Sequence, residues 1–507
     1  MTVKKMTANK KDFIVLGAFC CLNLFLTPII LVKAGHLSAK AIVCACAIEA
    51  LFDGIMAAWL YRTKGEKVKI EKRFFVMSIF FGLLIIAFIP TGQSPDEYAH
   101  TTRAWGISSG NIVSKLDESG TPYVELPVEF KDYRESDYGN KNYFQLAKKL
   151  RTGYSGEKFN ETRHYPAAAS YNPILYIPQV FGLLVGRILH LPLVYTLYLG
   201  RIFALLAYSA IVYYAIKMIP FWKKFMFAFA LLPITMQQAA SFSADSVTIA
   251  VSFFAIAYLL KLIFSNKKLD KKNYLALIGL SALLAVCKTA YLPLMSLILL
   301  IRKDAFGKTS KKIILCAIAV VAALTAYGAW SLLLPDSAGS STAGEQLAFA
   351  MHNPIKFLGI LAGSFIESNL DLYLAGALGM HLGFFNINSP RIYFYIALLM
   401  IVSILMNDGE KVKVGVPMRA LATTLFAGIT FVIMATLFIS WTRVGEMVVD
   451  GVQGRYFIPF IMLLPMILHR KIGENRTPLS ERTISIICFS FCLCACLCAF
   501  AINITAA

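Results

Sequence analysis

Residues 74–105 read FFVMSIFFGLLIIAFIPTGQSPDEYAHTTRAW: an apolar run that ends at Pro90, a short polar turn, and then a segment holding two acids, a histidine and an arginine. A bilayer core takes roughly 20 apolar residues per helix, so the first part reads as a membrane span and the second as its surface mouth. The same alternation recurs along the chain. Apolar runs lie at approximately 13 to 33, 39 to 61, 74 to 90, 191 to 216, 222 to 240, 245 to 264, 274 to 287, 289 to 301, 313 to 334, 391 to 407, 419 to 440, 455 to 469 and 482 to 503. The seventh and eighth read as a helix pair that turns near Cys287, Lys288 and Thr289. Of the 507 residues 58% are hydrophobic and 15% charged, against about 25% charged in soluble proteins, and mean hydropathy is +0.64. A water-soluble enzyme is excluded. The expected fold is an all-α polytopic membrane protein of about 13 transmembrane helices. Two spans and a basic loop occupy 1–73, a core with the long loop 74–260, and the remaining helical region 261–507.

Short cytoplasmic loops are enriched in Lys and Arg, which sets the orientation. With the N-terminus in the cytoplasm, the inner segments are 1–12, 62–73, 217–224, 265–272, 302–312, 408–419 and 470–482, and they hold 29 of the 49 Lys and Arg. The large loop 91–171, outside after the third span, balances 10 cations with 11 acids. The net charge of +20 is therefore mostly a topology signal, and no nucleic-acid partner is expected. Stretches 172–190 and 354–388 are apolar enough to cross, but crossing would put the later basic loops outside, so both are expected to lie at or dip into the outer surface. The eleven cysteines all sit in apolar runs, with neither a disulfide framework nor zinc-ligand spacing.

The informative polar residues gather on the outer side. Loop 91–171 carries twelve aromatics, which suit sugar faces or, more simply, a small domain packing its own core. At its start, Ser94, Pro95 and Glu97 fit N-cap, N1 and N3 of a helix in a capping box. Asp96, His100 and Arg103 would then share one helical face, combining a carboxylate base, a proton-handling imidazole and a phosphate-binding guanidinium. The plainer reading is that both acids merely favour a helix N-terminus. Asp245, in SFSADSVT (241 to 248), is a second acid at a turn or a helix N-cap. Lys288 and Arg455 are cations at outer helix ends, facing a cavity or snorkelling to the surface. Arg201 lies inside a span and must be paired, and His190, His352 and His381 show no metal-ligand spacing.

Five stretches carry a resemblance: PDEYAH (95 to 100) with Arg103 and Gly110, YNPILYIPQ (171 to 179), SADS (243 to 246), GALGMHLGFFNINSP (376 to 390) and GVQGRYFIP (451 to 459). In these the chain resembles the bacterial membrane proteins of domain-of-unknown-function family 2142 and, more distantly, the GT-C class of lipid-carrier-dependent glycosyltransferases. The resemblance implies a transferase in a bacterial plasma membrane, active face outward, that moves a sugar from a polyprenyl-phosphate carrier to a cell-envelope glycan or other outer-face acceptor. It implies Asp96 or Glu97 as the catalytic acid and Asp245 as the second. His100, Asp245, Tyr171 and Asn172 are the candidates to bind or orient substrate, and Arg103, Lys288 and Arg455 to hold the carrier phosphate. Two carboxylates near phosphate leave room for a divalent cation; no cofactor is otherwise expected, and membrane lipid is the remaining partner. The rival readings are a transporter or flippase of lipid-linked sugars and a non-catalytic cell-envelope assembly protein.

Overall fold

The computed structural model describes residues 38–62, 68–132, 159–334, 341–406, 412–469 and 479–505, apart from 369, 380, 384–386 and 389–390, with only scattered positions before 38. Most of the first expected span and the middle of loop 91–171 lie outside the described residues. Elsewhere the apolar runs are helices, as a backbone in lipid must satisfy its own hydrogen bonds. Among the described residues, Leu193–Met218, Asp245–Ile263, Thr309–Leu333 and Val416–Ser440 are long and apolar enough to cross a membrane.

Several other expected spans are not single helices. The run 222 to 240 divides into Lys223–Leu231 and Pro233–Ala239, because Pro233 brings no N–H to continue the ladder. The run 455 to 469 is a 3-10 helix, Gly454–Phe460, followed by Leu463–Leu468. Lys271–Cys287 and the 3-10 helix Thr289–Leu300 form the pair expected around Lys288, which is itself extended (φ −166°, ψ 114°). These broken segments are largely buried in protein, where interrupted helices are tolerated.

Helix Leu193–Met218 is central, packing against Ile70–Phe88, Asp245–Ile263 and the short helix Ile177–Ile188. The last contact depends on Gly182 and Gly186, one turn apart: a Cβ at Gly182 would lie 2.4 Å from the carbonyl oxygen of Leu199, and one at Gly186 2.8 Å from the Cα of Thr196. Small residues at this spacing let helix backbones meet closely. Twelve α-helical residues span only about 18 Å, so Ile177–Ile188 is too short to cross a core of about 30 Å alone. The stretch 354–388 is likewise broken into Pro354–Gly363, a π-turn, Leu370–Ala377 and a small hairpin pairing His381–Leu382 with Ile387–Asn388.

The described part of loop 91–171 forms a small packed unit. Strands Lys115–Leu116, Pro122–Pro127 and Phe159–His164 make an antiparallel sheet with Tyr123 opposite His164. Trp105 and Phe130 meet edge to face at 4.9 Å, both fully buried with Val124 and Leu126. At least these aromatics serve the unit's own core, leaving Tyr98, Tyr123 and Tyr171 partly exposed.

Candidate functional site

The expected capping box is corrected in register. The helix runs Glu97–Ser108, so Glu97 is its first residue rather than its third, and Asp96, at φ +61°, occupies the cap position in left-handed conformation. The Ser94 hydroxyl makes no capping bond. What survives of the motif is the backward reach of Glu97, whose carboxylate accepts the N–H groups of Ser94 (3.2 Å) and Gly92 (2.8 Å). It also accepts the N–H of Phe242 at 3.0 Å and faces the guanidinium of Arg201 at 3.5 Å, with both side chains fully buried. Arg201 in turn donates to the carbonyls of Ile89 (2.7 Å) and Ala240 (2.6 Å). This buried pair joins the end of Ile70–Phe88 to the turn 240–244 ahead of Asp245. Glu97 has no exposed surface, and its carboxylate is taken up by these backbone N–H groups and the guanidinium.

Asp96 points the other way. Its side chain is 40% exposed and pairs with Arg455, which is 4% exposed. The same guanidinium lies 3.2 Å from Asp245, through its other terminal nitrogen. Asp245 is the first residue of its helix and makes no cap bond, so its carboxylate serves the arginine rather than the helix end. Gln453 fixes Arg455 from below, accepting from Nε at 2.6 Å, while Gln238 and the Pro95 carbonyl each accept from Nη1 at 3.4 Å. Lys288 lies 4.2 Å over the ring of Tyr456, and Arg455 lies 5.1 Å over the same ring. Tyr291 donates to the Tyr456 carbonyl at 2.9 Å. Lys288 has no carboxylate within 4 Å among the described residues, only these aromatic faces.

Arg103 does not join the other two cations. It makes five hydrogen bonds: to the carbonyls of Tyr171 (twice, 3.2 and 3.4 Å), Asn111 (3.3 Å) and Ile112 (2.8 Å), and to the Ser114 hydroxyl (3.5 Å). A guanidinium has five N–H donors, and in Arg103, a side chain with no exposed surface, all five face these groups. Its work is to hold the turn that presents Tyr171 and Asn172. Asn172 is a cap, accepting the N–H of Ile174 at 3.0 Å. Tyr171 packs edge-on against His100 with ring centroids 5.1 Å apart.

His100 is buried and bonds through Nδ1 to the Tyr176 hydroxyl at 2.6 Å. Burial pushes its imidazole down to about 4, outweighing the upward pull of Asp96, so the ring is neutral at physiological pH. Burial alone would raise the Asp96 carboxyl. Arg455, with His100 and Lys288, instead holds it below the ordinary carboxylate range. No group of three His, Cys, Asp or Glu among the described residues is arranged to hold a metal ion. Both acids that could face a divalent cation are bound to Arg455.

The sequence reading missed Tyr456, Gln238, Gln453, Tyr176 and Tyr291. Two signals were available: Tyr456 follows Arg455 directly, and the adjacent amides Gln237 and Gln238 stand in an otherwise apolar run. The first amide clamps the hairpin, accepting the N–H of Gly383 at 2.9 Å and donating to its carbonyl at 3.1 Å, and the second reaches the site.

Backbone contact sets the position of Arg455. A Cβ on Gly454 would lie 2.2 Å from the nitrogen of Ala377 and 2.4 Å from the carbonyl oxygen of Tyr373. These atoms belong to a helix and cannot yield as a side-chain tip would. Gly454→Ala is therefore expected to displace Arg455 and to destabilise the detergent-purified protein by about 1–3 kcal/mol, the usual cost of overpacking. An unchanged denaturation midpoint in that variant would show that the contact is looser than described.

An apolar helical bundle with charged side chains meeting at helix ends defines a membrane protein. Within that class, the chain belongs to the predicted membrane protein family DUF2142, whose profile matches residues 79–464. No curated protein and no solved structure matches it.

Proposed function

We propose that the protein is a membrane glycosyltransferase that moves a sugar from a polyprenyl-phosphate carrier to a cell-envelope glycan or other acceptor on the outer face of a bacterial plasma membrane. The observation that carries this reading is the meeting of a half-buried carboxylate, Asp96, with two cations, Arg455 and Lys288, among tyrosine rings. A transferase of this kind needs a carboxylate for the attacking hydroxyl and positive charge for the departing phosphate. The acceptor oxygen attacks the anomeric carbon, the carbon–oxygen bond to phosphate breaks with its electron pair on the phosphate, and the hydroxyl proton passes to Asp96. Direct displacement inverts the anomeric centre. Asp245 holds Arg455 in place, His100 orients Tyr171 and Tyr176, and Lys288 meets the phosphate. Purified protein given a radiolabelled polyprenyl-phosphate sugar and envelope glycan is expected to transfer label. Movement of the lipid-linked sugar across a vesicle membrane without transfer would favour a transporter or flippase, and binding with neither would favour a non-catalytic assembly protein.

The same reading takes the chain as crossing the membrane about thirteen times, N-terminus inside and loop 91–171 outside. Glu118, exposed in a turn of that loop, tests it. With the native thiols replaced, Glu118→Cys is expected to react with an impermeant maleimide on intact cells. Reaction only after permeabilisation would invert the topology.

A further inference from the structure

Arg455 is shared by two carboxylates that differ in freedom. Asp245 is 12% exposed and Asp96 40% exposed. The guanidinium itself is anchored by Gln453, Gln238 and the Pro95 carbonyl, so it cannot swing towards a ligand. Lys288 shares the Tyr456 ring with Arg455 and lacks a carboxylate partner among the described residues. Two acids and two cations sum to zero. An anion drawn to Lys288 falls within reach of Arg455 and leaves the cluster with one negative charge in excess, which a partly buried site resists.

We infer that the phosphate of the donor lipid displaces Asp96 from Arg455, so that the carboxylate becomes available to an acceptor hydroxyl only after the donor has bound. This rests on the transferase reading and adds to it an order of binding: phosphate-bearing lipid first, hydroxyl-bearing acceptor second. Asp96 is the member that moves because it is the more accessible of the two, half-buried where Asp245 is nearly enclosed. Asp245 stays and keeps Arg455 charged and oriented.

Competition of this kind has an unusual signature: removing an acid should strengthen binding of an anion at one position only. The probe is a short-chain polyprenyl phosphate titrated into the full-length protein in detergent at neutral pH, with inorganic phosphate as a second probe. Asp96→Asn is expected to bind the lipid phosphate about tenfold more tightly than wild type, the loss of one competing charge at close range. Glu118→Gln, which removes a charge from an exposed turn, is expected to bind like wild type, and Lys288→Met more weakly. Tightening of inorganic phosphate by the same factor would locate recognition in the head group; tightening confined to the lipid would add the chain to it, and either supports displacement. Equal affinity in wild type and Asp96→Asn, or equal tightening in Glu118→Gln, would overturn the displacement while leaving the transferase reading intact. No binding of polyprenyl phosphate to any form would overturn both.

Discussion

Asp96→Asn is expected to lower transfer from a polyprenyl-phosphate sugar by about 10²–10⁴-fold, the usual contribution of a positioned general base. The substitution is clean, because asparagine is isosteric and takes the left-handed backbone of φ +61° as readily as aspartate. Folding should therefore survive, and carrier binding should not fall. The pH dependence follows from the same surroundings. The Asp96 carboxyl is held below its ordinary range, so its ionised form is present across neutral pH and is lost only as pH falls through that depressed value. The His100 imidazole, at about 4, stays neutral over the same interval. Neither group should impose a limb on the turnover profile between about pH 5 and 8. A limb near 6.5 that vanishes in His100→Gln would contradict this account of the imidazole, and near-normal transfer by Asp96→Asn would remove the residue from the chemistry.

Glu97→Gln should behave in the opposite way, losing fold before chemistry. Its carboxylate accepts three backbone N–H groups and faces the fully buried Arg201. Neutralising it leaves that guanidinium as an uncompensated buried charge, a loss of roughly 3–5 kcal/mol. Arg201→Met should cost a similar amount by stranding the carboxylate. The pair Glu97→Gln with Arg201→Met should be less damaging than the two losses added, as groups in one network are not independent. Unfolding in detergent, followed by the protein's own tryptophans, measures all three. Single variants within about 1 kcal/mol of wild type would mean that the backbone donors, not the ion pair, stabilise this corner.

The sequence made the membrane helices legible because burial in lipid demands long apolar runs, and these survive translation into composition. Asp96, Asp245, Lys288 and Arg455 could be nominated because charge next to such runs is costly without a purpose. What could not be read was pairing. Arg103 and Arg455 look alike from their neighbours in the chain, yet one is held by carbonyls brought from residues 111, 112 and 171, and the other is paired with carboxylates 359 and 210 positions away. The role of Glu97 was half visible, since its reach to Ser94 is local, while its bond to Phe242 closes over 145 residues. The helix register failed for a similar reason: Asp96 takes a left-handed conformation that Ser94 and Pro95 do not announce. Pro233 did announce a break, but hydropathy alone joins the two halves.

That left-handed residue also decides which inactive form is suited to imaging. Alanine or glutamate at position 96 would strain against φ +61° and pull the start of Glu97–Ser108 with it. Asparagine would keep the native outline while lacking the charge that the proposed transfer uses to accept a proton. If the proposed transfer holds, an Asp96→Asn particle loaded with donor lipid and acceptor together is expected to stall ahead of bond making, so cryo-electron microscopy would record both ligands in place and name the sugar directly.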